Sequence, residues 1–257
     1  LRPPPSLVLA DLFKALLMTA AFRQESATDP ASRAKDPENR WLARGPRFRL
    51  DAEQIRDNVL AVSGLLNSER GGRGVNPYQP PNLWEPVGYA DSNTRYFIQD
   101  HGDKLYRRSL YTFLKRTAPP PYLTNFDGTN REQVCVVRER TNTPLQALQL
   151  MNDVQHFEAA RALAERVMTQ GGATPEAKVA FLYRTVLARL PVERETQRVL
   201  KAWGQQRDLF AAKPEEAKQA IHVGESSPND KLDPVDLASW TMIANLILNL
   251  DETVNRN

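Results

Sequence analysis

Thr143, Pro144 and Gln146 constrain this chain more than any other residues, because together they fix where a helix begins. Threonine stands at the N-cap, proline at the first helical position and glutamine three residues after the cap. Proline is accepted there because its missing N–H would have no partner in the helix anyway. The pattern predicts a helix to about Met151. Asn152-Asp153 then interrupts or re-caps it, and a further helix reaches about Met168, with Phe157, Ala160, Leu163, Ala164 and Val167 as its buried stripe.

Similar punctuation recurs along the chain. Ser6 can cap a helix to about Arg23, with Leu9, Leu12, Phe13, Leu16, Leu17 and Ala20 at helical spacing. Asp51 with Gln54 resembles a capping box, and Gly64 is a natural stop. Leu105 to Lys115 reads as a helix ended by Pro119, Pro120 and Pro121. Thr174-Pro175 starts another, Leu190-Pro191 breaks it, and Val192 to about Phe210 should fold back on it as an antiparallel hairpin. A last helix runs from about Pro234 to Val254.

Between these stand polar or proline-rich stretches. Residues 24–50 read mostly as loop. Residues 67–103 form an irregular insertion, too rich in Gly and Pro for long helices and crowded by Tyr78, Trp84, Tyr89, Tyr96 and Phe97. Such a loop either covers the core or offers an aromatic platform to a flat ligand. Residues 213–233 are polar, with 224–231 (GESSPNDK) as the expected mobile segment. One short run, VCVV at 134–137, favours β structure, and it predicts a buried Cys135. The expected fold is mainly α: one domain over 1–257, irregular, with long Pro/Gly-rich loops and a C-terminal helical hairpin.

Charge matters through its placement. From Lys104 to Arg140 there are eight bases and three acids, an excess of +5 against +3 for the whole chain. The remainder is therefore slightly acidic. Arg107, Arg108, Arg116, Arg138 and Arg140 are candidate anion-binding residues, since the guanidinium fork matches carboxylate and sulfate. The alternative is an internal network with Asp and Glu elsewhere.

Catalytic signals are weak. Asp127 and Glu132 could form an acid/base pair of the glycosidase kind, with His101 in its Asp100/Asp103 cluster as a further candidate. A turn aspartate more often bonds its own backbone. No histidine sits at metal-ligand spacing, so no metal site is expected in this chain. A single cysteine excludes an internal disulfide and a haem-attachment CxxCH here. No nucleic-acid reading motif is present. The longest apolar run is interrupted by Asp11 and Lys14, so no membrane span is expected.

The block YRRSLYTFLKRTAPPP (106–121), then FDGTNREQVCVVRERTNTPLQALQLMND (126–153), resembles the C-terminal domain of a bacterial family abundant in planctomycetes. RLDAEQIRDNVLAVSG (49–64), GGRG (71–74) and SWTMIANLILNLDE (239–252) extend the likeness over nearly the whole chain. The resemblance implies export to the periplasm or beyond, a haem c domain elsewhere in a longer parent protein, and service to polysaccharide breakdown. It carries no catalytic residue. A start at Leu1 rather than Met agrees with a piece of a longer chain. The expectation is a non-catalytic binding or scaffolding module, for anionic polysaccharide or for neighbouring domains of the parent. The alternative is a carbohydrate-active or redox module working with the haem domain.

Overall fold

The computed structural model describes residues 9–256. Its contacts gather into two compact units, residues up to Arg49 with 255–256, and Leu50–Val254. The Ser6 cap lies outside the described residues. No described helix is long and apolar enough to cross a membrane.

The first unit is small. Helix α1 (Leu9–Leu17) ends earlier than the expected Arg23, and its apolar residues are exposed. Helix α2 (Pro30–Lys35) lies in the stretch expected to be mostly loop and is capped by the Asp29 carboxylate on the N–H groups of Ala31 and Ser32. Strand β1 (Phe48–Arg49) pairs antiparallel with β2 (Asn255–Arg256), Phe48 opposite Arg256. The Arg256 guanidinium lies 4.4 Å from the Phe22 ring centroid and 5.8 Å from that of Phe48.

The second unit is helical: α3 (Ala52–Ser63), α4 (Pro121–Asn125), α5 (Pro144–Asn152), α6 (Val154–Gln170), α7 (Pro175–Leu187), α8 (Glu193–Ala212), α9 (Pro214–Ile221), α10 (Pro234–Leu248) and α11 (Asp251–Val254). The local signals set these boundaries. Asp51/Gln54 and Thr143/Gln146 both form capping boxes. Gly64 ends α3 at φ 87°, a left-handed value that favours glycine. Asp153 closes α5 through its N–H to Gln149 O and caps α6 through its carboxylate.

Helix α10 is the centre of this unit. It is apolar nearly all round, as a helix covered on every side must be, and packs against α6, α8 and α9. Leu237, Trp240, Ile243, Ala244, Ile247 and Leu248 are buried there. Its two buried hydroxyls stay satisfied within the helix: Ser239 donates to Val235 O and Thr241 to Leu237 O. Trp240 stacks on Trp203 of α8 at 5.3 Å between centroids. Small residues Ala159, Ala160 and Ala164 lie buried on α6, in the same core as α10. Helices α7 and α8 pack on each other as the expected hairpin, joined through Ala188 at φ 55°.

Three further expectations need correction. Leu105–Lys115 is not an α-helix; it forms two 3-10 turns, Gly102–Tyr106 and Ser109–Tyr111. Its carbonyls are taken elsewhere. Arg56 binds those of Leu105 and Arg107, and Tyr106 O and Tyr111 O accept from the N–H groups of Asn67 and Val75. The 224–231 segment is anchored rather than free. The buried Glu158 Oε1 accepts from the N–H groups of Glu225 and Ser226 and from Ser226 Oγ, and Arg161 donates to Ser226 O at 2.8 Å. Cys135 is exposed, not buried: VCVV finds no partner strand, and Val134 and Val136 are 94% and 90% exposed.

Two outcomes test this core. Leu163→Ala should lower stability by about 2–5 kcal/mol in denaturant unfolding with an unchanged m-value. A chain cut after Trp203 loses α9 and α10 and with them Trp240, Ile243 and Ile247; it should show no cooperative unfolding transition by circular dichroism.

Candidate functional site: a cleft over a buried arginine

The five arginines do not converge on one pocket. They are answered largely by α3, some fifty residues or more earlier. Arg138 forks onto Glu53, with Nη1 to Oε2 at 2.6 Å and Nη2 to Oε1 at 3.0 Å. Arg140 pairs with Asp51 at 3.6 Å and Arg108 with Asp57 at 3.7 Å. Burial works to raise the Glu53 carboxyl, and the Arg138 fork outweighs it, so its pKa falls below the usual range. Arg107 is 4% exposed. Its guanidinium donates to the carbonyls of Glu69, Gly71 and Arg73 and lies 3.9 Å from the Tyr111 ring centroid. It is a clamp on the GGRG turn. Arg116 is exposed.

The catalytic candidates are held by separate segments. Asp127, at φ 60°, accepts from Thr141 N at 2.7 Å and Thr141 Oγ1 at 2.9 Å, the structural role of a turn aspartate. Glu132 is exposed, its N–H on Asn130 Oδ1. His101 Nδ1 lies 2.8 Å from Glu225 Oε2, and Gly102 N donates to the other oxygen of the same carboxylate. The Gly102 N–H, and then His101, pull the Glu225 pKa down. Cys135 has no histidine against it; its Sγ lies 3.3 Å from Val137 O. Among the described residues no group of three or more His, Cys, Asp or Glu could hold a metal ion.

What the fold does build is a cleft of about 550 Å³. Helices α4 and α5 and the start of α6 form one side, and Tyr78–Pro81 with Gln99 the other. The Pro119–Pro121 run that ends the expected helix instead starts α4, with Pro121 at its first position. That places Tyr122 and Asn125 on the cleft, while the Thr143 cap places Leu145, Leu148 and Gln149 there. The lining is side-chain amides (Gln79, Gln99, Asn125, Gln149, Asn152), two tyrosines, and proline and aliphatic faces. Asp153 is its one acid, and Asp153 Oδ1 is already engaged on the N–H groups of Gln155 and His156.

Adjoining the cleft, and sharing Tyr78, Tyr122 and Asp153 with it, a small cavity is lined by Arg56 and Gln155. Arg56 donates from Nε to Gln155 Oε1 at 2.6 Å, from Nη1 to Arg107 O and Ser109 Oγ, and from Nη2 to Leu105 O. Asp57 lies 3.7 Å from it and accepts the Ser109 N–H. Beside it the Tyr122 hydroxyl meets His156 Nε2 at 2.8 Å, the two rings stacked with centroids 5.3 Å apart. Burial pushes the His156 imidazole down to about 4, helped by Arg56 and opposed by Asp153. His156 is therefore neutral at pH 7. Its tie to Tyr122, 34 residues away, has no sequence signal.

These contacts give two expected outcomes. His156 binds its proton more weakly folded than unfolded, so its contribution to stability is complete above about pH 6.5 and is lost as pH falls from there towards 4. Urea titrations over that window should show a loss approaching about 3 kcal/mol that is absent in His156→Gln. In a double-mutant cycle, Arg138→Ala and Glu53→Ala should couple by about 0.5–1 kcal/mol, as expected of a half-exposed fork.

No curated protein and no solved structure matches the chain. The profile of PSD1, described as "Protein of unknown function (DUF1553)", matches residues 7–203, most of its 257 residues. A helical unit with capped helices at the matched positions carries that profile, and the chain belongs to the PSD1 (DUF1553) family.

Proposed function

We propose that this chain is a non-catalytic binding module that holds an extended carbohydrate chain in the cleft between α4, α5 and the Tyr78–Pro81 segment. One observation carries the reading: a concave space of about 550 Å³ lined by amides, tyrosines and flat apolar faces. That size and mixture suit a ligand that is gripped by many weak contacts. The setting is that of an exported, periplasmic or extracellular, cytochrome-linked parent protein with a role in polysaccharide utilisation, which the sequence resemblance implies. The haem c belongs to a separate domain of that parent, and neighbouring domains of the parent are this module's other partners.

The arginines speak against binding by charge attraction. Arg107, Arg108, Arg138 and Arg140 meet partners within the protein. A catalytic role through Asp127, Glu132 and His101 lacks a shared site, since each is tied to a different segment.

NMR titration of the isotopically labelled chain with soluble polysaccharides, uncharged and acidic, tests the proposal. Amide shifts should move at 78–81, 121–125 and 145–154, the movement should persist at high salt, and Leu148→Asp should abolish it. Arg138→Ala should leave it unchanged. Shifts confined to 131–140 that vanish with salt would restore the arginine reading and sink the cleft.

A further inference from the structure

We infer that the cleft is one half of a two-chamber site, and that its ligand is an uncharged, linear oligosaccharide. This rests on the cleft-binding reading above and adds to it the ligand class and a second half of the site. A second chamber, of about 380 Å³, is lined by Trp84, Glu85, Tyr96 and Phe97. Gln79, Pro81 and Gln99 line both chambers. The two spaces are therefore consecutive, and one extended chain can occupy them in turn.

The lining decides the charge of the ligand. Neither chamber is lined by a lysine or an arginine. Their only acids are Asp153, already capping α6, and Glu85, which lies 3.9 Å from Arg95. Arg95, on Glu85 and 5.3 Å from the Tyr96 ring centroid, and Lys115, 5.2 Å from that of Trp84, are already engaged within the protein. In the first chamber an anionic chain would meet Asp153 and no cation in the lining, which is repulsive in a partly desolvated cleft. A neutral chain meets neither problem.

The lining also decides which polar groups the ligand must carry. Side-chain amides both donate and accept, as hydroxyls do. Two N–H groups of the lining residues, Gln79 Nε2 and Trp84 Nε1, are buried without an acceptor in the protein. Both are shut off from solvent, so the contacts open to a ligand are those of the exposed lining amides. The second chamber adds one exposed ring, Tyr96 at 58%, backed by Trp84, which is buried against Phe97 at 5.0 Å. Lys115 fixes the Trp84 backbone from behind, its Nζ 3.3 Å from Trp84 O and 2.7 Å from Thr94 O. An amphipathic ring with an apolar face and hydroxyl rim fits such a wall. A peptide added as a strand would need a free sheet edge, and residues 50–254 contain no strand.

Isothermal titration calorimetry of the whole chain decides it. The probes are uncharged oligomers of glucose, xylose and N-acetylglucosamine from two to six units, a galacturonic-acid hexamer and a proline-rich decapeptide. For at least one uncharged series, affinity should rise about tenfold or more from dimer to hexamer, about 1.4 kcal/mol. Tyr96→Ala should remove that gain while leaving the dimer's affinity. Leu148→Ala should weaken dimer and hexamer alike. Equal affinity for dimer and hexamer overturns the second chamber and leaves the cleft reading standing. Binding of the uronate or the peptide in place of every neutral series overturns the ligand class. No binding by any probe, with the chain folded by circular dichroism, overturns both readings.

Discussion

The burial of Arg56 is the constraint on which the rest of the second unit depends. A guanidinium that cannot lose its proton and is shut away from water must be matched donor by donor, or the fold does not form. Here the match uses two carbonyls from 105–107, the Ser109 hydroxyl, the Gln155 amide and the Asp57 carboxylate. One side chain thus binds α3 to α6 and to an irregular segment at once. Because it consumes the Leu105 and Arg107 carbonyls, that segment turns in 3-10 steps. Its neighbour Arg107 is then aimed away from α3, onto the GGRG turn. Tyr122 and His156 rest beside the same cation, so the cavity adjoining the cleft is set by it as well.

Local chemistry was legible in the sequence, and long-range pairing was not. The caps at Asp51, Thr143, Asp153 and Thr174 depend on residues two or three positions apart, and each helix starts where they indicate. The arginine cluster was legible, and so was its alternative, an internal network with Asp and Glu elsewhere; which acids answer it was not. The acids that answer it, Asp51, Glu53 and Asp57, lie in a different stretch of chain, and a count of charges says nothing of who faces whom. Cys135 shows the same limit from the apolar side, since a β-favouring run is buried only if a partner strand exists. The cleft was legible on one side only, through the aromatic-rich 67–103 insertion; its other wall had no signature. Its prolines and amides come from four separate segments, each of which reads alone as loop or helix surface.

Family membership and the folding core do not share a boundary. The family profile ends at 203, within α8, whereas the largest apolar cluster draws on α6 and still more on α10, which begins at Pro234. The matched portion contains every lining residue of the cleft and not the helix that holds α6 in place. The profile therefore covers the part that forms the cleft. The completing helix answers mainly to the general demand for a buried apolar surface, which many sequences satisfy.

The anchoring of residues 224–227 sets an order on how the molecule is completed. Gly224 adopts φ 93°, and a Cβ there would collide with the Glu158 side chain, so the chain crosses that carboxylate only through glycine. The next residue, Glu225, gives its N–H to the Tyr78 hydroxyl and to Glu158, and its carboxylate to His101 and Gly102. Tyr78 is a wall of the cleft, and its partner is made 147 residues later. A chain emerging from the ribosome can form α3 through α6 early, yet it cannot fix that wall until residue 225 has been synthesised. Closing so long a loop is slow. The nascent protein consequently passes through an interval in which its aromatic wall is present and unsecured, a window in which chaperones and proteases meet it first.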